Sequence, residues 1–170
     1  NGFLDHYTQT KHKIFVNVLA QKGDSMERDY EYRSTVFGKD LGNLKEIGVS
    51  AGEKAIKRLN PKKIKTIRAP IIFDPRVAAS LVKNLSDAIN GNLISKRISF
   101  LNNYLYKEIF PKEISIIDDP TKQKGLKSRP FDTEGIAGKK LNIVRNGELK
   151  TWLLDLRTAR RLGLNTTGNA

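Results

Sequence analysis

Asp132 and Glu134 stand two apart in Pro130-Phe131-Asp132-Thr133-Glu134-Gly135, and they are the pair whose types and spacing could do chemistry. In an extended segment alternate side chains share a face, so both carboxylates could enter one cleft as general acid and base. The same residues also suit a turn, with an aspartate accepting hydrogen bonds from nearby amides ahead of a glycine. The sequence alone favours the turn. Asp118-Asp119-Pro120 reads as a strand end and turn. His6 and His12 lie six apart and in no metal motif; two polar positions flanking a strand are the simpler reading. Gly163 and Gly168 have the spacing of a phosphate loop, but Asn169 follows where such a loop needs lysine. Those glycines serve close packing or positive φ. With no cysteine there is neither a thiolate nucleophile nor a sulfur ligand.

The elements that must position these residues can be read from periodicity. Residues 12–21 and 27–37 form an antiparallel hairpin about Lys22-Gly23-Asp24-Ser25. Ile14, Val16, Val18 and Ala20 share one face of its first strand. In the second strand Tyr30, Tyr32 and Val36 face away from Asp29, Glu31, Arg33 and Thr35. Residues 41–59 form a helix with Asp40 as its cap and a stripe through Leu44, Ile47, Ala51, Ala55, Ile56 and Leu59. Ala69–Phe73 is a short apolar strand. Asp74-Pro75 opens a second helix with Val77, Ala78, Leu81, Val82, Leu85, Ala88 and Ile89 on its buried face, stopped by Asn90-Gly91-Asn92. Lys112–Asp118 is a strand, and residues 119–130 are a loop. Leu141–Arg145 and Glu148–Leu156 pair about Asn146-Gly147, a strong turn signal. Trp152, Leu153, Leu154 and Leu156 belong to the core, although an open edge of this hairpin could accept an extended peptide. A helical turn over Thr158–Leu162 ends at Gly163. Strands and helices mix without a βαβ rhythm, which gives an α+β class of antiparallel hairpins with two main helices.

The 170 residues carry a net charge of +13 with 38% apolar content, which suits a folded domain or parts of two and excludes a disordered chain. No apolar run approaches the roughly 20 residues of a membrane span. The start lacks the basic and apolar regions of a signal peptide. Both ends read as cut, which gives a fragment, and the absence of cysteine suits a reducing cytosol, so a cytoplasmic setting is expected. Six basic residues and no acid fall between Lys57 and Arg68. A phosphate-contacting patch is one reading. A solvated helix end and loop is the preferred one, because no aromatic residue interleaves for base stacking.

Four stretches together resemble one family: Ser25-Met26-Glu27-Arg28-Asp29-Tyr30, Arg68-Ala69-Pro70-Ile71-Ile72-Phe73, Phe131-Asp132-Thr133-Glu134-Gly135, and Thr158-Ala159 through Thr166-Thr167-Gly168-Asn169-Ala170. In this order, over nearly the whole chain, they resemble the TldD/PmbA family in its PmbA (TldE) branch. The resemblance implies a metallopeptidase assembled from two related subunits, enclosing a chamber in which unfolded peptides are cleaved. In the TldD branch a His-Glu-x-x-x-His helix binds zinc. An ungapped alignment from Pro70 puts Lys83 and Asn84 at the His-Glu positions and Ala88 at the second histidine. Lysine is a poor zinc ligand and alanine has no donor atom. No catalytic or metal-binding residue is therefore assigned to this chain, and zinc is expected in a TldD-type partner. Asp132, Glu134, Gly135, Thr158, Thr167, Gly168 and Asn169 are the candidate cleft or motif residues.

The resemblance further implies that residues 1–65 end a central α+β domain and residues 66–170 begin a β-rich C-terminal domain. The expected function is that of a non-zinc subunit of a peptidase. The alternative is a basic nucleic-acid-associated protein, in keeping with an older family name that invokes DNA gyrase, although nothing in the chain reads a groove. A homo-oligomeric scaffold is a third possibility.

Overall fold

The computed structural model describes residues 2–170. The chain divides into two compact units: Thr8–Pro70, and the N-terminal residues through Tyr7 joined with Ile71–Ala170. Helices and small antiparallel sheets make up both, as an α+β chain should.

In Thr8–Pro70, β1 (His12–Lys22) pairs antiparallel with β2 (Ser25–Thr35), with His12 opposite Thr35 and Lys22 opposite Ser25. Helix α1 (Leu44–Lys57) packs on the pair and buries Ile47, Ala51 and Ala55. The half-buried residues of β1 are Ile14, Val16, Val18 and Ala20, and their cross-strand partners are Arg33, Glu31, Asp29 and Glu27. One strand thus brings hydrocarbon to the covered face and the other brings charge. The helix answers the charge: Lys54 pairs with Glu31, Ser50 Oγ donates to Glu31 Oε2 at 3.1 Å, and Arg58 Nε meets Asp29 Oδ2 at 2.8 Å. Phe15, Tyr30 and Tyr32 lie on the opposite, open face with centroids 5.6 and 6.3 Å apart.

The cap expected at Asp40 is at Asn43, whose side chain accepts from Lys45 N at 3.0 Å and donates to Glu46 at 3.1 Å. Asp40 lies instead in a 3-10 turn, Gly38–Leu41, and Gly42 at φ +68° redirects the chain before the helix starts. An asparagine with a glutamate three residues on satisfies the first helical amides better than a residue upstream of a glycine break.

In the other unit, α2 (Pro75–Ala88) begins as expected, with Asp74 accepting from Arg76 N at 2.9 Å and Pro75 at its first position. Only its second half is buried. Leu85, Ala88 and the following Ile89 join a core with Ile94, Leu101, Ile143, Val144, Leu149, Trp152, Leu154 and Ala159. Val77, Leu81 and Val82 stay exposed, contrary to the apolar stripe, because no described element covers the first turns. Asn90 ends α2 and caps a short helix, α3 (Gly91–Ser95).

The sheet runs β3 (Ile116–Asp118), β4 (Leu141–Arg145), β5 (Glu148–Leu149), all antiparallel, with β4 central. Asn146 and Gly147 take φ of +49° and +79°, the left-handed pair that a two-residue hairpin turn requires. β5 is much shorter than the alternation suggests, and β3 omits residues 112–115. A hairpin edge open to peptide is not found on β5. Tyr106 N donates to Leu149 O at 2.8 Å and Leu149 N to Lys107 O at 3.0 Å, so residues 106–110 already occupy that edge. The strand expected at Ala69–Phe73 does not form, since it has no neighbour among the described residues to pair with. Helix α4 (Leu156–Leu162) closes at Gly163, which is left-handed at φ +65°.

Candidate functional site

The Phe131–Gly138 turn is built by Asp132, which is 4% exposed. Its Oδ1 accepts from the amides of Glu134 and Ile136, both at 2.9 Å, and Oδ2 accepts from Ala170 N at 3.1 Å. Backbone bonds Asp132 N to Ile136 O (2.9 Å) and Gly135 N to Asp132 O (3.1 Å) complete the loop. Gly135 has φ +77°, and a Cβ there would lie 2.6 Å from the Phe3 ring. Phe3 and Tyr7 both meet Phe131 edge-on, at 5.1 and 5.4 Å. The Glu134 carboxylate accepts from Leu156 N at 2.7 Å, at the first amide of α4. Each carboxylate of the pair is therefore engaged by backbone donors of different segments.

At α4 the cap is Asp155, a residue the sequence reading passed over. Its Oδ1 accepts from both Thr158 N and Thr158 Oγ1 at 2.6 Å. The Thr158 hydroxyl, then its amide, holds the Asp155 carboxyl below the ordinary aspartate range. Aspartate three residues before threonine, ahead of a helical run, is a cap signature that could have found it. Gly91 packs where a Cβ would meet Thr158 Oγ1 at 2.5 Å and Leu153 O at 2.9 Å.

The final stretch is held by the Leu154 backbone and by the side chains of Arg129, Asp118 and Asp132. Thr167 Oγ1 accepts from Leu154 N at 2.7 Å, and Thr167 N donates to Leu154 O at 3.0 Å, a two-way clasp on one residue. Gly168, at φ +71°, offers its carbonyl to Arg129 Nη2 at 3.4 Å. Asn169 Nδ2 donates to Asp118 Oδ2 at 2.9 Å. The motif residues Asp132, Glu134, Thr158, Thr167, Gly168 and Asn169 thus belong to one hydrogen-bonded framework around Leu154–Thr158. Asp118 and Arg129, distant in sequence, complete it.

Next to this framework lies a pocket of about 240 Å³ between α2 and the sheet, lined chiefly by Val82, Leu85, Ile89, Ile117 and Ile143, with Asp118 and Asn169 as polar lining. On α2, Lys83 is exposed and paired with Asp87, Asn84 is exposed, and Ala88 is in the core. His6 and His12 fall in different units. Among the described residues no group of three or more His, Cys, Asp or Glu gathers at metal-binding distances. An ammonium at position 83, an amide at 84 and a methyl with no donor atom at 88 do not fit a zinc ion.

Residues 66–170 match the family model described as the PmbA/TldA metallopeptidase C-terminal domain, and residues 1–59 match the central domain of the same family. The chain belongs to the PmbA/TldD family. It is 37% identical to the metalloprotease PmbA of Escherichia coli O157:H7 over all 170 residues, and 36% identical to the PmbA homologue of Buchnera aphidicola subsp. Acyrthosiphon pisum over 168. It spans 38% of the length of each of these PmbA/TldD relatives. Among solved structures it resembles a protein of Bacteroides thetaiotaomicron described as a candidate modulator of DNA gyrase. That match has a TM-score of 0.92 at 28% identity and covers 99% of this chain and 39% of the other. TldE from Thermococcus kodakarensis shares the fold, with a TM-score of 0.82 at 23% identity, covering 94% of this chain and 36% of that one.

Proposed function

We propose that the chain is the central-to-C-terminal part, divided near residues 65 and 66, of a PmbA (TldE)-type subunit that holds no zinc itself. Its place is in a cytoplasmic peptidase complex acting on unfolded peptides, with the zinc carried by a TldD-type partner. The observation that carries the reading is the make-up of α2. At the positions aligned with His-Glu-x-x-x-His stand an exposed, ion-paired Lys83, an exposed Asn84 and a core Ala88. A core methyl cannot be turned into a ligand by a side-chain rotation. Family membership and the relatives named as metalloproteases support the peptidase setting.

In this reading the work of the chain is to hold shape. Asp132 accepts three backbone amides and Glu134 one, so in this reading they brace the wall of the chamber. No helix among the described residues is long and apolar enough to cross a membrane.

Two measurements on the full-length protein test the proposal. Purified alone, it should contain no stoichiometric zinc by elemental analysis and should leave an unfolded casein substrate intact. Mixed with a relative bearing His-Glu-x-x-x-His, it should co-elute and the mixture should hydrolyse casein. One zinc per chain together with unaided hydrolysis would overturn the assignment.

A further inference from the structure

Ile71-Ile72-Phe73 is a β-branched and aromatic run of the kind that fills strands, yet none of its residues makes a hydrogen bond with a described residue. Ile71 and Ile72 are 76% and 96% exposed. Single exposed apolar residues are ordinary, but this exposure is contiguous in sequence. Phe73 is open as well, and beyond the Asp74 cap so are Val77, Leu81 and Val82 of α2, the last of which lines the aliphatic pocket with Ile117 and Ile143. The run also lies inside the stretch that matches the C-terminal-domain model, so it is part of a domain and not a linker between two.

We propose that Ile71–Phe73 is a sheet strand whose neighbour is supplied by polypeptide outside these 170 residues, in a longer chain of the length its relatives have. The same polypeptide covers Val77, Leu81 and Val82. The length argument favours this occupant, because these residues account for 38% of the Escherichia coli relative and most of such a chain remains available. A second copy fits less well. Pairing through three residues falls far below the roughly 1,000 Å² of a stable interface, and it costs the freedom of two molecules. A strand in the same polypeptide bears no such association cost.

Residue-resolved hydrogen exchange on the full-length protein tests this, at two protein concentrations and with or without reduced, carboxymethylated lactalbumin as an unfolded probe. One neighbouring strand engages alternate amides, so either Ile72 or the Ile71 and Phe73 pair should exchange at least about a hundredfold more slowly than in an unstructured peptide. The protection should be the same at both concentrations and without lactalbumin. Exchange at the unstructured rate overturns the proposal. Protection confined to the higher concentration assigns the strand to a second copy, and protection confined to the lactalbumin samples assigns it to bound substrate; either result also overturns it.

Discussion

Asp132 holds three amides from Glu134, Ile136 and Ala170 with a single buried carboxylate. Removing it leaves those donors, on half-buried residues, without their partner, which costs more than the bonds contribute net. Asp132→Ala should lower stability by about 3 kcal/mol, and Asp132→Asn by less, since one acceptor remains. Urea unfolding followed by Trp152 fluorescence reads the difference; an unchanged midpoint for the alanine variant would remove Asp132 from its bracing role. Gly135 is a second test at this scale. Its φ of +77° and the Phe3 ring 2.6 Å from any Cβ make Gly135→Ala destabilising by about 2 kcal/mol. Phe3→Ala should recover part of that loss, because it relieves the clash and leaves the backbone strain. Strictly additive losses in a double-mutant cycle would show that the ring is not the obstacle.

Between helix and hairpin, the charged half of the β1–β2 face depends on ion pairs to α1. The hydrogen bond from Lys54, chief among several, holds the Glu31 carboxyl below the ordinary glutamate range, against the opposing effect of burial. An unfolded glutamate therefore takes up its proton first as pH falls, so the contribution of Glu31 is complete above the ordinary glutamate range. It is lost as pH drops through that range and below it to the folded value. In acid titrations watched by circular dichroism, Glu31→Gln should flatten this part of the stability profile, as should Lys54→Met. A profile parallel to the wild type would show that the pair does not couple to folding. At α4, Asp155 caps Thr158, and Asp155→Ala should cost about 1 kcal/mol in chemical denaturation. Asp155→Ser should restore most of it, and failure to do so would point to a role other than capping.

For the molecule as a whole, the segment between the helices is the least tied. Residues 61–73 are exposed and make no hydrogen bond with another described residue, and the first of them carry Lys62, Lys63, Lys65 and Arg68. Trypsin acting on this chain should cut first between Lys62 and Arg68, leaving the hairpin–helix unit and the α2–α4 core resistant. Early cleavage at Arg145 or Arg157, inside the packed sheet and helix, would contradict the division into units.

Signals that act within a few residues were legible in the chain. Asn146-Gly147 required a tight hairpin, Asp74-Pro75 required a helix start, and Gly163 required a helix end, because each rests on φ limits or an orphan amide in its own turn. The order of the motifs likewise carried the family. What the sequence could not decide was which apolar residues would find cover and which polar groups would meet. Val77, Leu81 and Val82 follow the helical stripe yet stay exposed, and the apolar alternation after Leu149 does not extend β5. The cap at Asn43 displaced Asp40 because a turn and a glycine intervened. Asp118 meets Asn169 across 51 residues and Asp132 meets Ala170 across 38. Chain stiffness fixes neighbours a few residues apart, whereas burial and long-range partners are set by the whole packed chain. For that reason the turns were written locally, while the framework that holds Gly168 and Asn169 existed only once the tertiary structure had formed.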